Sequence, residues 1–161
     1  MRPPPPLLAL VAGLAQRAWV KDAPPLTARR AVAATAIAAA SAGLAGASAR
    51  QFRRQGTTVE PFDPSRAAVL VTTGANAVSR NPMYVGMAGL LVANAVRLGS
   101  PAALLPVAGF TLVIDRVQIA AEEPALLANF GPAYAAYRAS VPRWLDSRSV
   151  RSGRPGRRAR R

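Results

Sequence analysis

The sequence predicts an all-α integral membrane protein with three to four transmembrane helices, a terminal helical hairpin and a C-terminal interfacial helix. Three observations predict it. The chain of 161 residues is 51% hydrophobic and 17% charged, which is apolar for a soluble domain of this length. Residues 31–49 are 19 positions without a formal charge, and at about 1.5 Å rise per residue such a helix is close to the length that spans a bilayer. Two further apolar runs, 83–96 and 101–114, have 14 residues each and are joined by Arg97-Leu98-Gly99-Ser100, a turn whose arginine can snorkel to the membrane surface.

The elements follow in chain order. Residues 6–20 read as a short first membrane helix with Trp19 at the interface; alternatively, Gly13 and Ala15 are the small residues before the cleavage site of a signal peptide. The 31–49 run is rich in alanine and carries Gly43 and Gly46, and small side chains let a helix approach its neighbours closely in lipid. Residues 50–80, with Gly56, Pro61, Pro64 and Gly74, read as a structured polar connector. Both 14-residue runs fall short of about 20 residues, so spanning recruits flanking positions such as Asp115 to Ile119. Asp115 and Arg116 then lie near the membrane boundary, where ionisable groups are functional candidates.

After Glu122-Glu123, Leu126, Phe130, Tyr134, Tyr137 and Val141 recur at spacings of four, four, three and four. That is one helical face, broken at Gly131-Pro132, and it should lie on the membrane surface or against the hairpin. Arg143 and Trp144 form an interfacial anchor. Residues 1–145 thus make one transmembrane domain, followed by a disordered basic tail at 146–161.

The net charge of +14 is mainly a property of that tail, since ten of the 21 basic residues lie at or beyond Arg116 and seven at or beyond Arg148. It points to membrane orientation and anionic headgroups rather than to nucleic acid, because no aromatic side chains interleave the arginines to stack on bases. Cysteine and histidine are both absent. Disulfides, thiolate nucleophiles, most zinc sites and Ser-His-Asp arrangements are excluded, and no metal site is predicted. A cytoplasmic C-terminus puts the 50–80 connector inside and Arg97 outside, but leaves Arg17, Lys21, Arg29 and Arg30 outside, against the positive-inside tendency.

Two short runs carry the chemistry. In Ser79-Arg80-Asn81-Pro82-Met83-Tyr84-Val85-Gly86, Pro82 presses Asn81 toward an extended conformation and can open the following helix, leaving N–H groups near Met83 and Tyr84 free to receive a polar group. Gly86 allows close approach of a ligand to that first turn. The neighbouring carboxylates of Glu122 and Glu123 repel one another beside a membrane unless a cation, a donor or solvent offsets them.

Taken together, Val71-Thr72-Thr73-Gly74, the 79–86 run, the apolar hairpin, Glu122-Glu123, Phe130-Gly131, Tyr134, Tyr137 and Val141-Pro142-Arg143-Trp144 resemble the isoprenylcysteine carboxyl methyltransferase and phospholipid methyltransferase family of membrane enzymes. The likeness covers about residues 69–145. It implies S-adenosylmethionine as cofactor, held at the cytoplasmic ends of the last membrane helices under the C-terminal segment. Carried over, Leu70 and Val71 supply backbone contacts. Arg80, Asn81, Pro82, Met83, Tyr84 and Gly86 line the cofactor pocket, Glu122 binds the cofactor's polar end and Glu123 supports it.

The chain departs from the family at three places. The family commonly has histidine at Asn81 and an aromatic at Asn76, and its substrate-binding arginine falls on Gln118, with Arg116 the nearest basic substitute on the acceptor side. The implied chemistry needs no histidine or cysteine. A sulfonium is already a good leaving group, so methyl transfer asks for in-line positioning rather than for acid or base residues, and no catalytic residue is assigned. The expected acceptor is lipophilic or membrane-associated, through a carboxylate, an amine or a thiol, in a bacterial cytoplasmic membrane. A membrane reductase of the steroid-reductase type, using NADPH, and a non-enzymatic membrane scaffold are the alternative readings.

Overall fold

A computed structural model describes residues 3–55 and 69–152. Among the described residues all regular structure is helical. Helix α1, Pro5–Trp19, has proline at its start, where a missing N–H costs nothing. Its Gln16 is fully buried: Nε2 donates to the Leu91 and Ala103 carbonyls at 2.8 Å each, and Oε1 accepts from Asn94 at 2.9 Å. A polar side chain satisfied on both ends inside an apolar bundle fixes the position of α1.

Helix α2, Ala28–Arg54, begins at Thr27, whose hydroxyl accepts from the Arg30 N–H at 3.4 Å. It outruns the uncharged stretch and takes in the start of the predicted connector; residues 56–68 of that connector lie outside the described residues. Helix α3, Ala75–Val78, is one short turn. Helix α4, Pro82–Leu98, ends at Gly99, whose φ of +66° suits glycine and whose N–H closes onto the Ala95 carbonyl at 3.0 Å.

The chain returns through a 3₁₀ turn at Pro101–Ala103, helix α5 at Leu104–Val113, a π-helical turn at Ile114–Ile119 and helix α6 at Ala120–Ser140. Pro101–Ser140 is therefore one bent rod of 40 residues. It and α2, at 27 residues, are the two described helices long and apolar enough to cross a membrane by length and composition, and α4 is shorter at 17. The expected break in α6 occurs at Gly131, where φ is 49° and ψ −125°, a backbone geometry that a side chain resists.

Close packing of small residues is present, but not where the sequence places it. A Cβ on Gly43 or Gly46 would meet nothing within 4 Å, whereas one on Gly86 would lie 2.7 Å from both the Ala45 Cβ and the Ser41 carbonyl oxygen. The glycines of α4 admit α2, and those of α2 face away. The main apolar cluster joins α1, α4 and the returning rod through Ala12, Tyr84, Leu91, Val107, Phe110, Ile114 and Ile119.

The predicted face of α6 does form a second cluster. Tyr134, Tyr137 and Val141 are buried together, with Leu70, Leu126 and Phe130 packed against them, and the two tyrosine rings meet edge-on at 6.2 Å. The segment expected to be a disordered tail opens differently. Residues Ser147–Ser152 form a short helix, α7, and the Ser149 hydroxyl donates to the Val78 carbonyl at 2.7 Å. Residues 153–161 lie outside the described residues.

Candidate cofactor site

The site is built where the loop before α4 meets the segment after α6. Ser79 is fully buried, and its hydroxyl donates to the Arg143 carbonyl at 3.0 Å while accepting from the Asn81 N–H at 3.1 Å. Asn81 Nδ2 donates to the same carbonyl at 3.0 Å, and the Arg80 N–H donates to the Pro142 carbonyl at 2.9 Å. Two chain segments more than 60 residues apart are thereby laid side by side, and their backbone polar groups satisfy one another. Asn81 does not cap α4; its amide reaches across to Arg143 instead.

The twin acids then divide. Consecutive residues on a helix point about 100° apart, so Glu122 and Glu123 face different neighbours. Glu122 Oε1 accepts from the Tyr84 hydroxyl at 2.8 Å and from Gln118 Nε2 at 2.6 Å. Glu123 accepts from Arg80 Nη1 at 2.6 Å and from Arg143 through Nε at 3.0 Å and Nη2 at 2.6 Å.

Arg143 also reaches Asp115 on the π-helical turn, at 3.1 and 3.2 Å, and the Trp144 indole N–H donates to the same carboxylate at 2.9 Å. Asp115 and Glu123 thus balance Arg80 and Arg143. The side chains of Arg80 and Glu123 are only 10% and 11% exposed. Such charges leave water at tolerable cost only because they are paired with good geometry. The Glu123 carboxylate beside it holds the Arg143 guanidinium above its ordinary pKa against the effect of burial, and Asp115 adds to this. Arg143 therefore stays charged.

Several sequence-predicted residues sit elsewhere than expected. Gly86 is covered by the backbone of α2, so its missing side chain serves helix packing rather than the approach of a ligand. Gln118, expected on the acceptor side, is buried and holds Glu122. Arg116 has 74% of its side chain exposed and lies 3.3 Å from Asp115. Leu70 packs on the tyrosine cluster of α6, and Val71 is buried. Pro82 and Tyr84 are buried at the first turn of α4, and Met83 is half-buried.

Sequence reasoning missed the clamp that Arg143 makes between Asp115 and Glu123, having read Arg143 and Trp144 as a membrane anchor. The available signal was a helix carrying acids at 115, 122 and 123 with an arginine just past its end. The π-helical turn that aligns Asp115 with Glu123 left no sign in the composition.

A protein of Haemophilus influenzae, described only as uncharacterized, is 43% identical over 63 residues, which are 39% of this chain and the whole of that relative. No solved structure matches the chain. The phospholipid methyltransferase family model matches residues 29–133, a span that includes Tyr84, Asp115, Gln118 and both glutamates. With well over half of its length matched, this chain belongs to the phospholipid methyltransferase family.

Proposed function

We propose that this protein is an S-adenosylmethionine-dependent methyltransferase that acts on a lipophilic or membrane-associated acceptor, at a pocket formed by the 79–84 loop and turn, Gln118 and Glu122. The family implies a membrane methyltransferase. The observation that carries the finer reading is the meeting of Tyr84 and Glu122 at 2.8 Å, since these residues come from opposite ends of the returning hairpin.

The donor set suits the cofactor. Glu122 offers an anionic acceptor, while Arg80 Nε is buried and makes no hydrogen bond, a donor that a carboxylate would satisfy. An amino-acid moiety carries an ammonium and a carboxylate on one carbon, and so offers a partner to each. Arg80 and Glu122 would hold that end, with Tyr84 and Gln118 orienting the Glu122 carboxylate. When bound, the sulfonium supplies a methyl group on a good leaving group. The protein's part is to fix position and exclude water, with Ser79, Asn81 and Arg143 holding the loop and Tyr84 and Ile119 closing the apolar side.

In this reading α1, α2, α4 and the 101–119 part of the rod give three to four membrane segments. The site and the C-terminus face the cytoplasm of a bacterial cell. The acceptor atom is a carboxylate, an amine or a thiol. The family match lends no support to the reductase or scaffold alternatives. Titrating the purified full chain with S-adenosylmethionine and, separately, with NADPH tests the proposal. Binding of S-adenosylmethionine is expected, and binding of NADPH alone would overturn it.

A further inference from the structure

The short helix α3 is held from two sides through one residue. On one side the Ser48 hydroxyl of α2 donates to Asn76 Oδ1 at 3.1 Å, and both residues are buried. On the other the Tyr137 hydroxyl of α6 donates to the Asn76 carbonyl at 2.7 Å. Asn76 therefore joins a residue 28 positions before it to one 61 positions after it. None of the three belongs to the proposed methyl-transfer pocket.

A helix of four residues has too few internal bonds to hold itself, so its place is set by such contacts and by the turn before it. That turn is fixed to α2 as well. Gln51 Nε2 donates to the Thr73 hydroxyl, and the Gln51 side chain fills the space that a Cβ on Gly74 would need. The far end of α3 runs straight into the site. The Ser79 N–H donates to the Ala75 carbonyl at 3.3 Å, which carries the turn to the residue before Arg80.

Arg80 is the residue whose buried Nε is unmatched. Its Nη1 donates to the Tyr134 hydroxyl at 3.3 Å, one turn before Tyr137 on the buried face of α6. Asn76 and Arg80 thus rest on the same tyrosine pair, and a displaced Asn76 displaces Arg80 with it. Fully satisfied buried polar networks rigidify what they join.

We propose that Ser48, Asn76 and Tyr137 form a buried strut that positions Arg80 for the carboxylate of the cofactor, with Ser48 a positioning residue supplied by α2. The inference rests on the methyltransferase reading, and its test separates the two. Calorimetric titration of the purified full chain uses S-adenosylmethionine and its decarboxylated form, which keeps the ammonium and the sulfonium but offers Arg80 nothing.

The unaltered protein should bind S-adenosylmethionine at least about tenfold more tightly than the decarboxylated probe, the effect of one hydrogen bond between charged groups. Ser48→Ala and Tyr137→Phe should each reduce that ratio roughly threefold while affinity for the decarboxylated probe is kept. A merely structural role would weaken both probes alike, and that result would overturn the proposal. Equal affinity of the unaltered protein for the two probes, or an unchanged ratio in both variants, would overturn it and leave the methyltransferase reading standing. Binding of neither probe by the unaltered protein would overturn that reading and this inference together.

Discussion

Replacing each of the adjacent glutamates in turn by glutamine should separate two roles that the sequence presents as one. Glu123 accepts three hydrogen bonds, from Arg80 at 2.6 Å and from Arg143 at 3.0 and 2.6 Å. Glu123→Gln keeps the volume, removes the charge and turns an amide toward two guanidinium groups. Breaking a buried pair from one side costs about 3–5 kcal/mol. Arg143 is 32% exposed and keeps Asp115, which places the loss at the lower end, about 3 kcal/mol. Reversible unfolding in mixed micelles measures it.

Glu122→Gln preserves an oxygen acceptor for the Tyr84 hydroxyl and for Gln118, so its stability loss should stay below about 1 kcal/mol. Its effect belongs to the ligand instead. Losing a charged hydrogen-bond partner is worth about 1.5–3 kcal/mol, and S-adenosylmethionine should bind at least about tenfold more weakly by calorimetry. Equal stability losses from the two substitutions would refute this division, as would a Glu123→Gln protein as stable as the original.

Other substitutions test the frame around the site. Gly86→Ala forces a Cβ to 2.7 Å from the backbone oxygen of Ser41 and should cost about 1–3 kcal/mol, while Gly43→Ala, which meets nothing within 4 Å, should be neutral or stabilising by up to about 1 kcal/mol; unfolding of the two variants compares them. Gln16→Leu removes three hydrogen bonds between α1 and the α4 and 101–103 region and should make α1 the first segment cut in limited proteolysis. Tyr84→Phe should weaken S-adenosylmethionine binding by less than Glu122→Gln does, because the phenol contributes one hydrogen bond and Gln118 still holds the carboxylate.

Much of this arrangement was legible in the chain because it rests on local rules. The period of Leu126, Phe130, Tyr134, Tyr137 and Val141 gave the buried face of α6, and Gly131 before Pro132 gave its break. Pro82 marked the start of α4, and the pairing of Tyr84 with Glu122 matched the expected meeting of the two runs. What stayed hidden depends on partners distant in sequence. Whether a glycine faces a neighbouring helix or open space is a matter of rotation about the helix axis, and composition does not report it; Gly86 therefore takes the packing role expected of Gly43, and Gly43 faces open space.

The same holds for the polar residues. Gln118 and Asp115 take their partners from the register of a π-helical turn, which has no strong composition of its own. Arg143, basic and next to a tryptophan, had the look of an interfacial anchor, and only the return of the chain onto Ser79 and Asn81 places it between two carboxylates.

The most direct test of the central claim is methyl transfer itself. Membranes holding the full chain, incubated with S-adenosylmethionine labelled at its methyl group, should place label in the lipid-soluble or membrane-protein fraction, and membranes holding Glu122→Gln should place far less. Label that enters neither fraction while the protein is folded, or that enters equally with the glutamine variant, would contradict the assignment of the Tyr84 and Glu122 pocket as the cofactor site.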